Sequence, residues 1–152
     1  ILNSILQDVI KRGTGRRALA LERGDLAGKT GTTNGPMDAW FSGYNADVVT
    51  TTWVGFDNYT PLGRREFGGT AALPIWIEYM REALSGIPER TRPVPEGIVH
   101  VKIDPETGLL ADSRQTDAIF EYFREAYVPR DSAAPEGTVP GDSTGDLLQD
   151  IF

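Results

Sequence analysis

The sequence predicts an α+β fold in which helices cover an antiparallel sheet. Apolar residues recur at three- and four-residue steps over 1–10 and again over 70–84, the signature of two half-buried helices. Between them lie three stretches with the alternation or the β-branched and aromatic composition of strands, separated only by short turns. A chain of 152 residues, 39% hydrophobic and 24% charged, has room for about one ordinary domain and enough apolar side chain for a core.

Taken in order, Ile1, Leu2, Ile5, Leu6, Val9 and Ile10 form one helical stripe. It ends in Lys11 and Arg12, which suit the negative end of the helix dipole, and in Gly13, which suits a left-handed cap. Residues 13–17 read as a loop. Residues 26–33 read as a strand, closed by a turn at Asn34-Gly35-Pro36. Residues 38–45 alternate Ala39, Phe41 and Gly43 with Trp40, Ser42 and Tyr44, and 48–56 have strand composition, so a meander is expected. A loop rich in glycine and charge covers 57–69. The second helix is expected over 70–84, with Thr70 as its cap, Pro74 tolerated in its first turn, and Leu73, Trp76, Ile77, Met80 and Leu84 on one side.

A composition shift follows. Residues 89–96 are proline-rich and charged, a linker. Residues 99–103 alternate as a strand, 104–108 form a turn, and 109–111 are expected to return antiparallel. Residues 118–127 carry Ile119, Phe120, Phe123 and Tyr127 as a short amphipathic segment, and 129–152 have the composition of a disordered acidic tail. The expected organisation is therefore a main unit over 1–88, a small annex with a β-hairpin over 89–128 and a tail over 129–152.

Fifteen basic against twenty-two acidic side chains give a net charge of −7, which argues against nucleic acid or an anionic lipid surface as the main partner. There is no cysteine and a single histidine, His100, so no disulfide and no Cys- or His-rich metal site is expected, and the reading calls for no cofactor. No apolar run approaches the length of a membrane span and no signal peptide is visible. A start at Ile1 without an initiator methionine reads as a piece of a longer polypeptide.

The informative stretch is Lys29-Thr30-Gly31-Thr32-Thr33. A lysine beside small hydroxyl residues on a strand makes an anion site: Lys29 supplies a point charge, and Thr30 and Thr32 share one face because strand side chains alternate. Lys29 is then expected on the opposite face, while Gly31 lets another backbone or a ligand come close. A phosphate-binding loop is excluded: its first glycine would stand at position 23, which is Arg23, and a turn rather than a helix follows Thr33. Trp40, Trp53 and Trp76 are expected in the core, Asp38 and Asp57 at turns, and Arg16, Arg17, Arg64 and Arg65 as solvated loop charges. His100 is expected to be structural.

Lys29-Thr30-Gly31-Thr32-Thr33, then 38–44 (DAWFSGY), 52–57 (TWVGFD) and 68–76 (GGTAALPIW), with 13–18 (GTGRRA) upstream, resemble in order and spacing the C-terminal part of the transpeptidase domain of bifunctional, class A penicillin-binding proteins. The resemblance covers residues 1–88; it is weaker in the annex and absent from the tail. It implies the penicillin-recognising, β-lactamase-like serine transpeptidase fold, and a D,D-transpeptidase that cross-links peptidoglycan stem peptides through an acyl-enzyme. Of the family's three motifs, S-x-x-K, S-x-N and K-T-G, only the third is present. None of the six serines has a lysine three residues on or an asparagine two residues on, so the nucleophile, its lysine base and a membrane anchor are expected upstream, in the same polypeptide.

Carried over, the resemblance makes Lys29 and Thr32 catalytic and makes Thr30, Gly31, Thr32 and Thr33 the binding strand for a stem peptide ending in D-Ala-D-Ala, or for a β-lactam. The Thr30 and Thr32 hydroxyls would hold the ligand carboxylate, the Thr32 N–H would serve the oxyanion hole, and the Thr32 carbonyl would accept from the substrate amide. The implied location of the whole protein is the periplasmic face of the bacterial inner membrane. Two alternatives share the fold: a non-catalytic sensor or binding module, against which the intact lysine argues, and a serine β-lactamase relative, against which the aromatic meander and the start of the second helix argue.

Overall fold

The structure, a computed structural model, describes residues 1–133. It divides into two compact units, Ile1–Val94 and Pro95–Phe152, the second described as far as residue 133.

The first unit is a three-stranded antiparallel meander flanked by helices. Helix α1 (Leu2–Lys11) is followed by a 3-10 segment (Arg16–Leu21), strands β1 (Ala27–Thr32), β2 (Asp38–Tyr44) and β3 (Val49–Gly55), a single π-helical turn (Gly68–Ala72) and helix α2 (Leu73–Ala83). The period-two alternation on β2 selects the faces: Ala39, Phe41 and Gly43 are buried, whereas Trp40 and Ser42 are exposed. Against the inner face lies α2, with Leu73, Trp76, Ile77 and Met80 buried. Phe41 meets Trp76 edge to face at 4.9 Å, and the Trp76 indole N–H donates to the Thr50 carbonyl at 3.1 Å. Gly43 makes this fit possible, because a Cβ there would lie 2.6 Å from the Trp76 ring. Side chains such as Phe41 and Trp76 contribute about 1.5–3 kcal/mol each by leaving water.

Four local expectations are corrected. Gly13 is not a left-handed cap, since its φ is not positive; it is glycine because a Cβ would come within 2.8 Å of the Val9 Cα. Of the apolar stripe of α1, only Ile10 is buried, while Ile1, Leu2 and Ile5 are exposed. Thr70 does not begin the second helical run. That run starts at Gly68, and the Thr70 hydroxyl folds back to accept the Phe67 N–H at 2.8 Å and donate to the Arg65 carbonyl at 2.7 Å. Of the three tryptophans, only Trp76 is core; Trp40 and Trp53 are 41% and 45% exposed on the outer face, 6.1 Å apart, with the Trp53 N–H on Asp38 at 2.9 Å. The 3-10 segment, which buries Ala18, falls at the edge of residues read as loop.

A buried polar cluster ties the strand ends together. The Asp25 carboxylate accepts from Arg23 (2.8 and 2.9 Å), from the Asn45 amide (3.2 Å) and from the Arg90 N–H (3.3 Å). Asn45 in turn accepts from the N–H groups of Asp47 and Val48, and Arg23 donates to the Ile87 carbonyl at 2.7 Å. Burial alone would push the Asp25 carboxyl up; the Arg23, Asn45 and Arg90 donors outweigh it and hold the group below its ordinary range. Glu89, Arg90 and Arg92 are held to this unit: Glu89 accepts the Gly24 N–H, Arg90 pairs with Asp47, and the Arg92 guanidinium lies 5.6 Å from the Tyr44 ring centre.

In the second unit, β4 (Ile98–Ile103) pairs antiparallel with β5 (Ile119–Arg124), followed by a 3-10 turn (Glu125–Tyr127). The amphipathic segment over 118–127 is thus mainly a strand, and it is the main partner of β4. Residues 109–111 return antiparallel beside the end of β4, in a short bridge of Ile103 to Leu110 flanked by the Asp104 N–H on the Leu109 carbonyl (2.9 Å) and the Ala111 N–H on the Lys102 carbonyl (3.1 Å). His100 stacks on Tyr122 at 4.4 Å, with Phe120 5.0 Å away. The start of the expected tail is structured, because Leu110 donates to the Asp131 carbonyl and accepts from Ala133. The rest of the tail, 134–152, lies outside the described residues. Among the described residues, no helix is long and apolar enough to cross a membrane, and no cluster of His, Cys, Asp and Glu is arranged to hold a metal.

Candidate active site

Strand β1 is an edge strand: among the described residues its one neighbour is β2. The Thr33 N–H donates to the Asp38 carbonyl at 3.1 Å, which makes that pair a hydrogen-bonded rung of the hairpin. In an antiparallel ladder the rungs alternate. Gly31 and Lys29, opposite Trp40 and Ser42, therefore direct their backbone groups at β2, and Thr30 and Thr32 direct theirs at the open edge.

The side chains follow the strand period. Thr30 and Thr32 stand opposite Phe41 and Ala39 on the inner face, at its rim; Lys29 stands opposite Ser42 on the outer face, exposed. The Lys29 ammonium nevertheless curls round and donates to the Thr30 carbonyl at 3.0 Å. A positive charge therefore sits at the open edge although its Cβ points to the other face.

Three glycine-bearing segments meet here. From the loop before the 3-10 segment, the Thr14 hydroxyl lies 2.9 Å from that of Thr30. From the π-helical turn, the Gly68 N–H donates to the Thr32 hydroxyl at 3.1 Å. Gly68 is pressed onto the sheet so closely that a Cβ would lie 2.2 Å from the Trp40 carbonyl oxygen and 2.6 Å from that of Gly31. Only glycine fits there. The next residue, Gly69, passes the Thr14 carbonyl.

Of the residues singled out from sequence, the structure thus brings Thr30, Thr32 and the Lys29 ammonium to one open edge, while Gly31, on the same strand, directs its backbone groups at β2. Thr33 is different, because its hydroxyl accepts the Asp38 N–H at 2.9 Å and closes the β1–β2 turn. Thr14 and Gly68 were missed as members of the site. Both fall in the stretches that carried the family resemblance, but sequence proximity does not reveal that a loop 16 residues before Thr30 and a turn 36 residues after Thr32 converge on them.

Penicillin-binding protein 1A of Pseudomonas aeruginosa is 58% identical to the chain over 147 residues, which is 96% of the chain and 18% of that protein. The chain is a homologue of penicillin-binding protein 1A. The protein of that name from Neisseria lactamica is 47% identical over 123 residues, 74% of the chain and 15% of that protein. The crystal structure of penicillin-binding protein 1A from Haemophilus influenzae superposes with a TM-score of 0.79 at 41% identity, covering 87% of the chain and 21% of that protein. The chain thus spans about a fifth of the length of the penicillin-binding protein 1A relatives it matches, and its antiparallel sheet with flanking helices is the fold of the matching part of the Haemophilus influenzae structure. No protein-family model matches the chain.

Proposed function

We propose that this segment supplies the Lys-Thr-Gly strand of a peptidoglycan D,D-transpeptidase that also binds penicillin, the serine nucleophile and its base coming from elsewhere in the same polypeptide. The observation that carries the reading is the open edge of β1, where the backbone groups of Thr30 and Thr32 are directed outward beside two hydroxyls and the Lys29 ammonium.

In this reading a stem peptide adds to β1 as a short extra strand, its amide N–H donating to the Thr32 carbonyl. The terminal carboxylate of D-Ala-D-Ala accepts hydrogen bonds from the Thr30 and Thr32 hydroxyls, and Lys29 offsets its charge. The serine oxygen attacks the carbonyl of the penultimate D-Ala; that carbon–nitrogen bond breaks, and the terminal D-Ala leaves as the free amine after taking up a proton. An amine of a second stem peptide then displaces the serine. The Thr32 N–H, paired with the serine's own N–H, stabilises the oxyanion, and one such donor is worth about 3 kcal/mol. A β-lactam carboxylate and its strained amide fit the same positions. The reading places the whole protein in the bacterial cell envelope, at the periplasmic face of the inner membrane.

Labelled benzylpenicillin tests it. The full-length polypeptide carrying this segment is expected to form a covalent adduct on a serine outside residues 1–152, and the 152-residue chain alone is expected to form none. A stoichiometric adduct on any of the six serines present here overturns the division of labour.

A further inference from the structure

We propose that Thr14 is a positioning residue for anion recognition, acting through Thr30 as the Gly68 N–H acts through Thr32. The inference rests on the proposed binding of a carboxylate at the β1 edge. A threonine hydroxyl has one proton to give and two lone pairs to accept with. Because Thr32 accepts the Gly68 N–H at 3.1 Å, its own proton is left for another partner. Among the described residues Thr30 has no backbone donor of that kind; its hydroxyl faces that of Thr14 at 2.9 Å, and one of the two must donate to the other.

A carboxylate at the edge selects between the two directions. When Thr14 donates to Thr30, the Thr30 proton points to the anion, and the site presents two parallel chains: Thr14 to Thr30 to anion, and Gly68 to Thr32 to anion. Each inner donor polarises the outer hydroxyl and fixes where its proton points. With the direction reversed, Thr30 gives its proton away to Thr14 and the anion loses a donor. Thr14 belongs to a loop held in place independently of any ligand: the Gly15 N–H donates to the Val9 carbonyl at 2.8 Å, and Gly69 packs on the Thr14 carbonyl. The hydroxyl is thus presented by the scaffold and is present before the ligand arrives.

The test uses the full-length polypeptide with two probes, benzylpenicillin and its methyl ester, which lacks the charged carboxylate. Thr14→Val is expected to slow acylation by benzylpenicillin about tenfold and acylation by the ester less than about twofold, the difference expected from losing one link to a charged acceptor. Thr14→Ser, which keeps the hydroxyl, is expected to restore the acid-over-ester ratio. Equal slowing with both probes, no slowing with either, or failure of serine to restore the ratio overturns the assignment. Thr32→Val and Lys29→Ala are measured alongside. If they too leave the acid-over-ester ratio untouched, the carboxylate-binding reading itself fails; if they lower it while Thr14→Val does not, only the role of Thr14 fails.

Discussion

The Thr32 hydroxyl accepts the Gly68 N–H, so replacing it with a methyl group removes two things at once: the outward proton and the partner of a buried turn. Thr32→Val is nearly isosteric, and from sequence alone its stability cost reads as small, but the structure adds the cost of an unsatisfied donor, about 1–3 kcal/mol. In the full-length polypeptide, Thr32→Val is expected to lower benzylpenicillin acylation ten- to hundredfold, with a fall in melting temperature beside it. Thr50→Val, on β3 across the sheet from β1, is expected to leave acylation unchanged. Equal losses at the two positions would make Thr32 an ordinary strand residue. The residue types of this site were legible in the sequence because Lys-Thr-Gly-Thr is short and contiguous. The hydroxyl partners were not, because Thr14 and Gly68 reach the strand by tertiary packing alone.

At the scale of the element, the alternation on β2 separated its two faces, and the 3.6-residue stripe of α2 identified its packed side, since each pattern reports on burial. The same logic misled for α1 and for the tryptophans: an apolar stripe says that a face wants cover, not that this chain supplies it. In the second unit the turn at 104–108 does return 109–111 antiparallel to the end of β4, through the Ile103–Leu110 bridge, but the partner along the whole of β4 is β5, which follows only after a longer loop. That loop begins at Asp104, whose carboxylate is held down to about 2, first by the Thr107 hydroxyl, then by the Thr107 N–H and the Gln115 amide. A carboxyl with a lowered folded-state pKa stabilises the fold above its unfolded value of about 3.9 and loses that contribution as pH falls toward the folded one. Between pH 4 and pH 2 the second unit is therefore expected to lose stability. Asp104→Asn is expected to remove Asp104's share, giving a shallower melting-temperature profile over that window. Identical profiles for the two proteins would show that the turn does not depend on the charge.

For the whole molecule, the division between Val94 and Pro95 matters because Glu89, Arg90 and Arg92 belong physically to the first unit. In the full-length polypeptide, a stop after Val94 is expected to leave penicillin acylation within a few-fold and the first unit intact. A stop after Pro88 deletes the Arg90 N–H from the buried Asp25 carboxylate and the Glu89 contact to Gly24, and is expected to destabilise that unit by about 1–3 kcal/mol. Thermal denaturation of the two truncations checks this; equal melting temperatures would mean that 89–94 contribute nothing. A composition of prolines and charges reads as a linker, and nothing local in it announces that half of its length is anchored.

A strand edge left open to a peptide is equally open to a strand of another molecule, the geometry from which ordered aggregates grow. β1 is six residues long, with glycines at 28 and 31 and a lysine at 29. Glycine is poor at propagating a sheet, and a lysine on an edge repels its copy in a second chain. On the proposed reading, the composition that would let a short ligand lie against Thr30 and Thr32 also disfavours edge-to-edge stacking of neighbouring molecules, so recognition and resistance to stacking would rest on the same six residues.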